Sequence, residues 1–337
     1  MKVARFVSVG LALALTMSAS GTGGGFSARD SGKTATARAT STNGSLSAST
    51  RFKTGPARTQ ETAAIGALSS KRVGGFHKWR AIKHVRFLAG RIGTRLRAHR
   101  GEKRGARYIA RKFRRYGYEA RIRTFRVDGR KSRNVVAWWR KSSRYPVVLG
   151  GHMDTVRGAP GANDNASGVA VLLETARIIA GKRPARWVRF VGFGSEEYGV
   201  NGKHHVGSQV FVNRLGATGR RRLAGMVSVD MIADGRPLRI GTAGIGPPVV
   251  ARTAARRARK VNVGVSYRTA CDCSDNGPFE LAGIPASYMW SGPESNYHSP
   301  SDTVANMRPR DLARTGRAVR SFVRALDRRT IRRFRRH

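Results

Sequence analysis

Imidazole and carboxylate side chains follow several short apolar runs of this sequence. Such runs, rich in β-branched and aromatic residues, are typical of buried strands. In open α/β sheets, ligands bind beyond the carboxyl ends of the strands, so one site can collect all of these groups. Two histidines with several carboxylates are a hard-to-borderline set of metal ligands, which favours a metal-dependent hydrolase. The residues at these positions are His152, Asp164, Glu196, Glu197, Asp230 and His298.

Glu196 and Glu197 form an adjacent acidic pair in a chain that has only 19 acidic residues. Adjacent carboxylates repel each other, so burying both is costly unless a cation or a proton intervenes. One of the two can bind a metal while the other stays free as a general base. An exposed acidic turn is the alternative, and the pair alone leaves both interpretations open.

Asp154 and Asp302 follow the two histidines, His152 and His298, at short spacing. Residues 152 and 154 share one side of an extended segment, because successive side chains of a strand alternate between faces. A metal-bound imidazole commonly needs an acceptor for its second nitrogen, so we expect Asp154 to fix that nitrogen of His152 or its surroundings, and Asp302 to orient His298. Tyr297 could donate a hydrogen bond to an oxyanion. For the segment from His152 to Asp154, a polar turn after a strand is the alternative.

Hydrophobic periodicity predicts the elements that position these side chains. Strands alternating with helices over about 250 residues indicate a single α/β domain. We expect a central, mostly parallel mixed sheet flanked by helices, with the active site at the C-terminal ends of the strands. Helical spacing covers residues 77–90, 102–116, 169–180, 248–260 and 310–325, and strand-like runs cover residues 118–127 and 134–139.

Residues 1–20 predict a secretory signal peptide, with two basic residues before an apolar stretch that ends in small residues. That stretch is too short to span a membrane, and no second candidate follows it. Residues 21–75 are rich in Gly, Ser, Thr and Ala, and cannot bury enough surface to offset ordering entropy, so we expect a flexible leader or propeptide. A secreted, extracellular domain is then expected at 76–327, followed by a basic tail at 328–337.

The formal net charge of +46 creates a field that attracts polyanions. Because Arg and Lys are scattered along the chain, charges spread over a solvated surface are the favoured interpretation. No basic segment has the aromatic spacing of a nucleic-acid module. We therefore expect a monomer with at most weak contact with anionic surface polymers and no specific nucleic-acid partner.

Two pairs of potential ligands lie outside the expected site. Cys271 and Cys273 are one residue apart, and the sequence leaves open a strained disulfide and paired thiols. No other cysteine or histidine lies at zinc-finger spacing from them. His204 and His205 are expected to be exposed loop histidines, with contact to the substrate as the alternative.

Five segments of the chain resemble the motifs of the secreted di-zinc aminopeptidase family, which includes bacterial leucyl aminopeptidases. The resemblance runs from about Arg86 to Ala325, and all five metal-ligand positions of the family are filled in order. It implies that residues 76–327 are a zinc peptidase catalytic domain. The segments are 151–154, 161–168, 195–199, 229–231 and 298–303.

The resemblance also assigns roles to the residues. Asp164 would bridge two zinc ions, with His152 and Asp230 completing one site and Glu197 and His298 the other. Cobalt or manganese would also suit such a ligand set.

For the reaction, the resemblance implies peptide substrates that lose their N-terminal residues. Glu196 would be the general base, and Tyr297 would help to stabilise the tetrahedral intermediate. The chain departs from the family after Glu197, where residues 198–208 contain an apparent insertion or a shifted spacing.

Three alternative functions compete with this interpretation. Glutaminyl cyclases share the fold but lack the first liganding histidine, so His152 argues against them. Related carboxypeptidases and amide deacylases insert a lid of roughly a hundred residues between the third carboxylate and the last histidine. Asp230 and His298 are only 68 positions apart, which leaves no room for a lid. A non-enzymatic, polyanion-binding exported protein is the alternative from a different class.

Overall fold

The computed structural model describes residues 74–199, 202–269, 271–292 and 294–336. The predicted signal peptide and nearly all of the predicted leader lie outside these residues. Within the described part of the chain, no helix combines the length and apolar character needed to cross a membrane.

Eight strands form one mixed sheet at the centre of the domain. They are β1 (Glu119–Val127), β2 (Arg130–Trp138), β3 (Val147–His152), β4 (Val188–Phe193), β5 (Gly225–Asp230), β6 (Leu238–Gly241), β7 (Val265–Arg268) and β8 (Ala286–Ser291). The strand order is β1-β2-β4-β3-β5-β8-β6-β7. The four central strands β4, β3, β5 and β8 run parallel, whereas β1 and β2 are antiparallel to their neighbours. The predicted fold class is therefore confirmed.

Helices cover both faces of this sheet. They are α1 (Lys78–Val85), α2 (Arg100–Arg115), α3 (Gly168–Ile179), α4 (Val206–Arg221), α5 (Val249–Arg259), α6 (Gly277–Leu281), α7 (Pro309–Arg324) and α8 (Arg328–Arg335). The predicted helices at 102–116, 169–180, 248–260 and 310–325 correspond to α2, α3, α5 and α7. The sequence interpretation missed α4, which begins directly after the apparent insertion.

Two apolar clusters lie on opposite faces of the sheet. Val147 and Leu149 of β3 point into the larger cluster and Val148 into the smaller one, as the alternation of strand side chains requires. Helix α3 packs between the sheet and helices α1 and α7. All of its residues except Arg177 are buried, and the one buried carboxylate, that of Glu174, pairs with Arg177. The strand ends that carry the site are therefore packed against a buried helix on one face of the sheet.

The segment predicted to be a basic tail is instead a packed helix, which corrects that prediction. Ile331 and Phe334 of α8 are buried in the larger apolar cluster, while its arginines are exposed or only partly buried. The two apolar residues lie three positions apart, so they share one face of the helix. The folded domain therefore extends to the end of α8.

Candidate metal centre

The predicted site residues meet at the carboxyl edge of the parallel strands. Strand β3 ends at His152 and β5 ends at Asp230, and their parallel pairing brings both ends to the same edge. The turn after β4 carries the adjacent glutamates, and the loops after β3 and β8 supply the remaining carboxylate and imidazole. The structure thus brings together His152, Asp164, Glu196, Glu197, Asp230 and His298.

The two oxygens of Asp164 face two different imidazoles. His152 Nε2 lies 3.0 Å from Asp164 Oδ1 and 3.2 Å from Asp230 Oδ1. His298 Nε2 lies 3.3 Å from Asp164 Oδ2 and 3.0 Å from Glu197 Oε2. Asp164 therefore stands between two half-sites, each of which has one imidazole and one further carboxylate.

Both half-sites fit a bound metal ion. Each imidazole nitrogen faces two carboxylate oxygens, although it can donate only one proton. His298 Nε2 and Glu197 Oε1 are buried and have no hydrogen-bond partner among the described residues. Two ligands at zinc–ligand distances of 2.0–2.2 Å and tetrahedral angles lie about 3.3–3.6 Å apart, which is close to the spacings at this site. The donor set and its geometry suit two zinc-type ions.

Electrostatics at the site also favour bound cations. Burial, together with the charge of Asp164, raises the pKa of Glu197 to about 7. Burial raises the pKa of Glu196 well above its ordinary value. Burial alone would lower the pKa of His152, but the neighbouring carboxylates, Asp230 foremost, raise it well above its ordinary value. Without a cation, these buried carboxylates would take up protons. A bound metal ion would neutralise their negative charge instead.

Asp154 supports the glutamate turn beside His152 and does not hydrogen-bond the imidazole itself. Its Oδ1 lies 3.8 Å from His152 Nδ1, which is too long for a hydrogen bond. Instead its two oxygens accept the backbone N–H groups of Glu196 and Glu197, at 3.1 and 3.2 Å. These N–H groups are buried just beyond the end of β4 and need an acceptor, which a carboxylate provides most strongly.

Asp302 supports the Asp164 loop, and this differs from its predicted role of orienting His298. It accepts the backbone N–H groups of Asn163 at 2.7 Å and Asp164 at 3.0 Å. The turn that contains Asp164 has non-helical torsion angles, so these N–H groups have no partner one helical turn earlier. Asp302 therefore fixes the position of the Asp164 carboxylate between the two half-sites.

His205 was expected to be an exposed loop histidine, and the structure shows that this is wrong. Its side chain is 4% exposed, and its Nε2 lies 2.9 Å from Glu196 Oε1. Its backbone N–H also donates to the carbonyl of Glu196 at 2.7 Å, which folds the inserted loop back onto the glutamate turn. His204 is half-buried and stacks on Tyr198. No local pattern of the sequence marked His205, because α4, which begins directly after it, was itself missed.

Arg95 is a second residue that the sequence interpretation missed. It is completely buried, and its guanidinium donates to the carbonyls of Met153, Pro160 and Gly161 at 2.7–2.8 Å. These carbonyls flank the segment that carries His152 and the loop that carries Asp164. Arg95 therefore ties together two parts of the site without facing it.

Tyr297 and the cysteines lie at the rim. The Tyr297 ring is 53% exposed and stacks on His298, with ring centroids 3.7 Å apart. Burial and the nearby carboxylates raise its pKa, so the phenol remains a proton donor. Cys271 and Cys273 form a disulfide with each other, which decides between the two alternatives that the sequence left open.

Positive φ angles are concentrated at the site. Ser195, His205, Met231 and His298 have φ of 55°, 52°, 46° and 53°. Each is a site residue or is adjacent to one. Non-glycine residues in this region carry backbone strain, which proteins retain mainly where function requires it.

Sequence comparison places this chain among known peptidases. Residues 134–323 match peptidase family M28. Leupeptin-inactivating enzyme 1 of Streptomyces exfoliatus is 29% identical in an alignment 251 residues long, and the match covers 67% of this chain and 56% of that protein. Aminopeptidase YwaD of Bacillus subtilis is 28% identical in an alignment 218 residues long, which covers 61% of this chain and 47% of that protein. The chain thus spans about half the length of these curated relatives.

Solved structures show the same fold. A zinc aminopeptidase from Bacillus subtilis, BSAP, superposes with a TM-score of 0.70 at 17% identity, over 77% of this chain and 97% of its own. An aminopeptidase from Aneurinibacillus sp. strain AM-1 gives a TM-score of 0.65 at 20% identity, over 74% of this chain and 93% of its own. The matched family region covers more than half of the sequence and includes every predicted metal ligand. This chain belongs to peptidase family M28.

Proposed function

We propose that this protein is a secreted, zinc-dependent aminopeptidase that binds two zinc ions and removes N-terminal residues from peptides. The observation that carries the proposal is the placement of Asp164, whose two oxygens face His152 on one side and His298 on the other. Family membership and relatives that are named aminopeptidases support the same activity.

The ligand arrangement divides into two sites that share one carboxylate. His152 and Asp230 would hold one ion with Asp164, and Glu197 and His298 would hold the other. When bound, zinc supplies Lewis acidity that polarises a carbonyl oxygen and makes a water molecule acidic at neutral pH. Ser274 donates to Asp230 Oδ2 at 2.7 Å, which orients the other oxygen of this carboxylate toward His152.

Glu196 is the general base of the proposal. Its Oε2 lies 3.8 Å from His152 Nε2 and so faces the metal site, while Oε1 is held by His205. The free oxygen can take a proton from the attacking water and return it to the leaving amine. Tyr297, beside His298, is positioned to donate a hydrogen bond to the oxyanion of the tetrahedral intermediate.

Export and partners are proposed from the sequence alone. The signal-like segment at 1–20 supports secretion, and 21–75 would be a flexible leader or propeptide. The scattered positive charge supports a monomer with weak contact with anionic surface polymers.

Metal analysis combined with a panel of aminoacyl anilides tests the proposal. The purified protein should contain two zinc ions per chain, and its hydrolysis should stop on chelation and return with zinc. Asp164→Ala should lose metal, whereas Glu196→Gln should keep metal and lose about 10²- to 10⁴-fold in kcat. Glu119→Gln, which removes an exposed carboxylate on β1, is the matched control and should change neither.

Two results would contradict the proposal. Metal-free protein that still hydrolyses the anilides would exclude the metal mechanism. Full turnover by Glu196→Gln would exclude Glu196 as the base.

A further inference from the structure

A second group of metal-ligand side chains adjoins Glu196 on the side away from the predicted zinc sites. His204, His205 and Asp272 each present one ligand atom, and these three atoms lie within 4.8 Å of one another. His205 Nδ1 is 3.6 Å from Asp272 Oδ1. None of the three residues belongs to the five predicted zinc ligands.

The contact with Glu196 fixes which nitrogen of His205 carries the proton. With cations in the two predicted zinc sites Glu196 would be ionised and could only accept, so Nε2 of a neutral His205 would donate to Glu196 Oε1 at 2.9 Å. Nδ1 then presents a lone pair to the carboxylate of Asp272. Two acceptors that face each other repel unless a cation lies between them.

A metal ion satisfies this arrangement better than a proton does. Burial and the neighbouring imidazoles His204 and His152 lower the pKa of His205 to about 3, which disfavours a proton on Nδ1. A separation of 3.6 Å is too long for a hydrogen bond. It matches the upper end of the spacing of about 3.3–3.6 Å between two ligands of a tetrahedral zinc ion. His204, whose ring centroid lies 4.1 Å from that of His205, offers a third ligand.

The ligand atoms are held in place by the surrounding backbone. Asp272 lies between the disulfide-bonded Cys271 and Cys273, and the N–H of Cys271 donates to the carbonyl of Thr242 at 3.1 Å. The Asp272 carboxylate packs against Gly277 so closely that any β-carbon at that position would collide with it. Asp272 is therefore held in place before any ion binds, which lowers the entropic cost of binding.

We propose that His204, His205 and Asp272 form a third metal site, selective for zinc-type transition-metal ions, that is coupled to the general base through His205. An ion bound at Nδ1 makes the Nε2–H a stronger donor to Glu196, in a carboxylate–histidine–metal arrangement. Glu196 then accepts a proton from water less readily, so filling the third site slows hydrolysis. The inhibition rests on the proposed peptidase function, whereas the binding site does not.

Zinc titration of the intact, zinc-loaded protein by calorimetry tests the site without using activity. Wild type should bind one further equivalent, and Asp272→Asn and His204→Gln should bind it at least about tenfold more weakly. Both changes are at side chains that are not fully buried, and thermal unfolding should confirm that each variant folds. Glu119→Gln removes one carboxylate elsewhere on the surface and should bind like wild type. Equal affinity of wild type and Asp272→Asn would overturn the site.

Anilide hydrolysis at rising zinc concentration tests the coupling, with each variant compared with its own rate at two equivalents of zinc. The wild-type rate should fall over the same concentrations at which the further equivalent binds, and the rates of Asp272→Asn and His204→Gln should not. A wild-type rate that is unchanged when the third equivalent is bound would overturn the coupling. A wild type with no hydrolysis at all would refute the proposed function, while the calorimetric difference between variants would still decide the site.

Discussion

Replacement of His205 should lower the rate of the chemical step without weakening substrate binding. The imidazole contacts Glu196 Oε1 at 2.9 Å and leaves Oε2 facing the metal site, so it sets the direction of the base. A hydrogen bond to a charged group contributes about 1.5–3 kcal/mol. Since 1.36 kcal/mol corresponds to a factor of ten in rate, His205→Met should lose about 10- to 150-fold in kcat.

A matched pair of variants separates the hydrogen bond from packing. Met has a similar reach but no donor, whereas the amide nitrogen of Gln can replace Nε2 as a donor. Position 205 has φ of 52°, and Met and Gln carry the same backbone cost there as any other unbranched residue. His205→Gln should therefore recover most of the kcat that His205→Met loses.

The assay measures kcat and KM with an aminoacyl anilide on protein that holds two equivalents of zinc. The expected result is a fall in kcat with KM unchanged, because an interaction made through the base acts in the transition state. His77→Met, at an exposed histidine before α1, should behave like wild type. A wild-type kcat in His205→Met with its zinc intact would refute the positioning role.

Three predictions concern stability. Arg95→Met leaves several buried carbonyls without a donor and should lower the free energy of unfolding by about 3–5 kcal/mol, measured by chemical denaturation. Burial, with the charge of Asp154 second, raises the pKa of Glu102 from 4.5 to about 7, so the folded state holds this proton more tightly than the unfolded state. The stability that this proton contributes is therefore complete below pH 4.5 and is lost as the pH rises through 7. In Glu102→Gln, the free energy of unfolding should fall by about 3 kcal/mol less over this pH range, measured by unfolding curves at several pH values. Phe334→Ala should cost about 3–5 kcal/mol in thermal unfolding whereas Arg332→Ala, on the exposed side of the same helix, should cost less than about 0.5; equal effects would mean that α8 does not pack as described.

The strand-end residues were predictable because two local signals agree. Apolar runs of strand length located β3 and β5, and a polar residue at the end of each run identified His152 and Asp230. Parallel strands bring such ends together whatever the loops do. The sheet edge and two of the proposed metal ligands therefore follow from patterns within short windows.

The supporting contacts were not predictable, because they join distant loops. Asp302 and Asn163 are 139 positions apart, and nothing local indicates that a carboxylate beside one histidine should bind the backbone of another loop. His205 lies at the site because its backbone bonds back to the glutamate turn. The residues before it have no hydrophobic periodicity that would predict this contact. Helix α8 is different, since the spacing of Ile331 and Phe334 was visible but the charge of the surrounding arginines dominated its interpretation.

Asp154 and Asp302 connect the loops of the site into one cooperative unit. Asp154 follows the first histidine and holds the glutamate turn, while Asp302 follows the second histidine and holds the Asp164 loop. The chain between β3 and α3 therefore supports the glutamate turn and is itself supported by the loop that carries His298. In native-state hydrogen exchange, the four N–H groups that these carboxylates bind should therefore exchange together, with the free energy of a single opening event. Local unfolding of these loops would displace their candidate metal ligands together rather than one at a time.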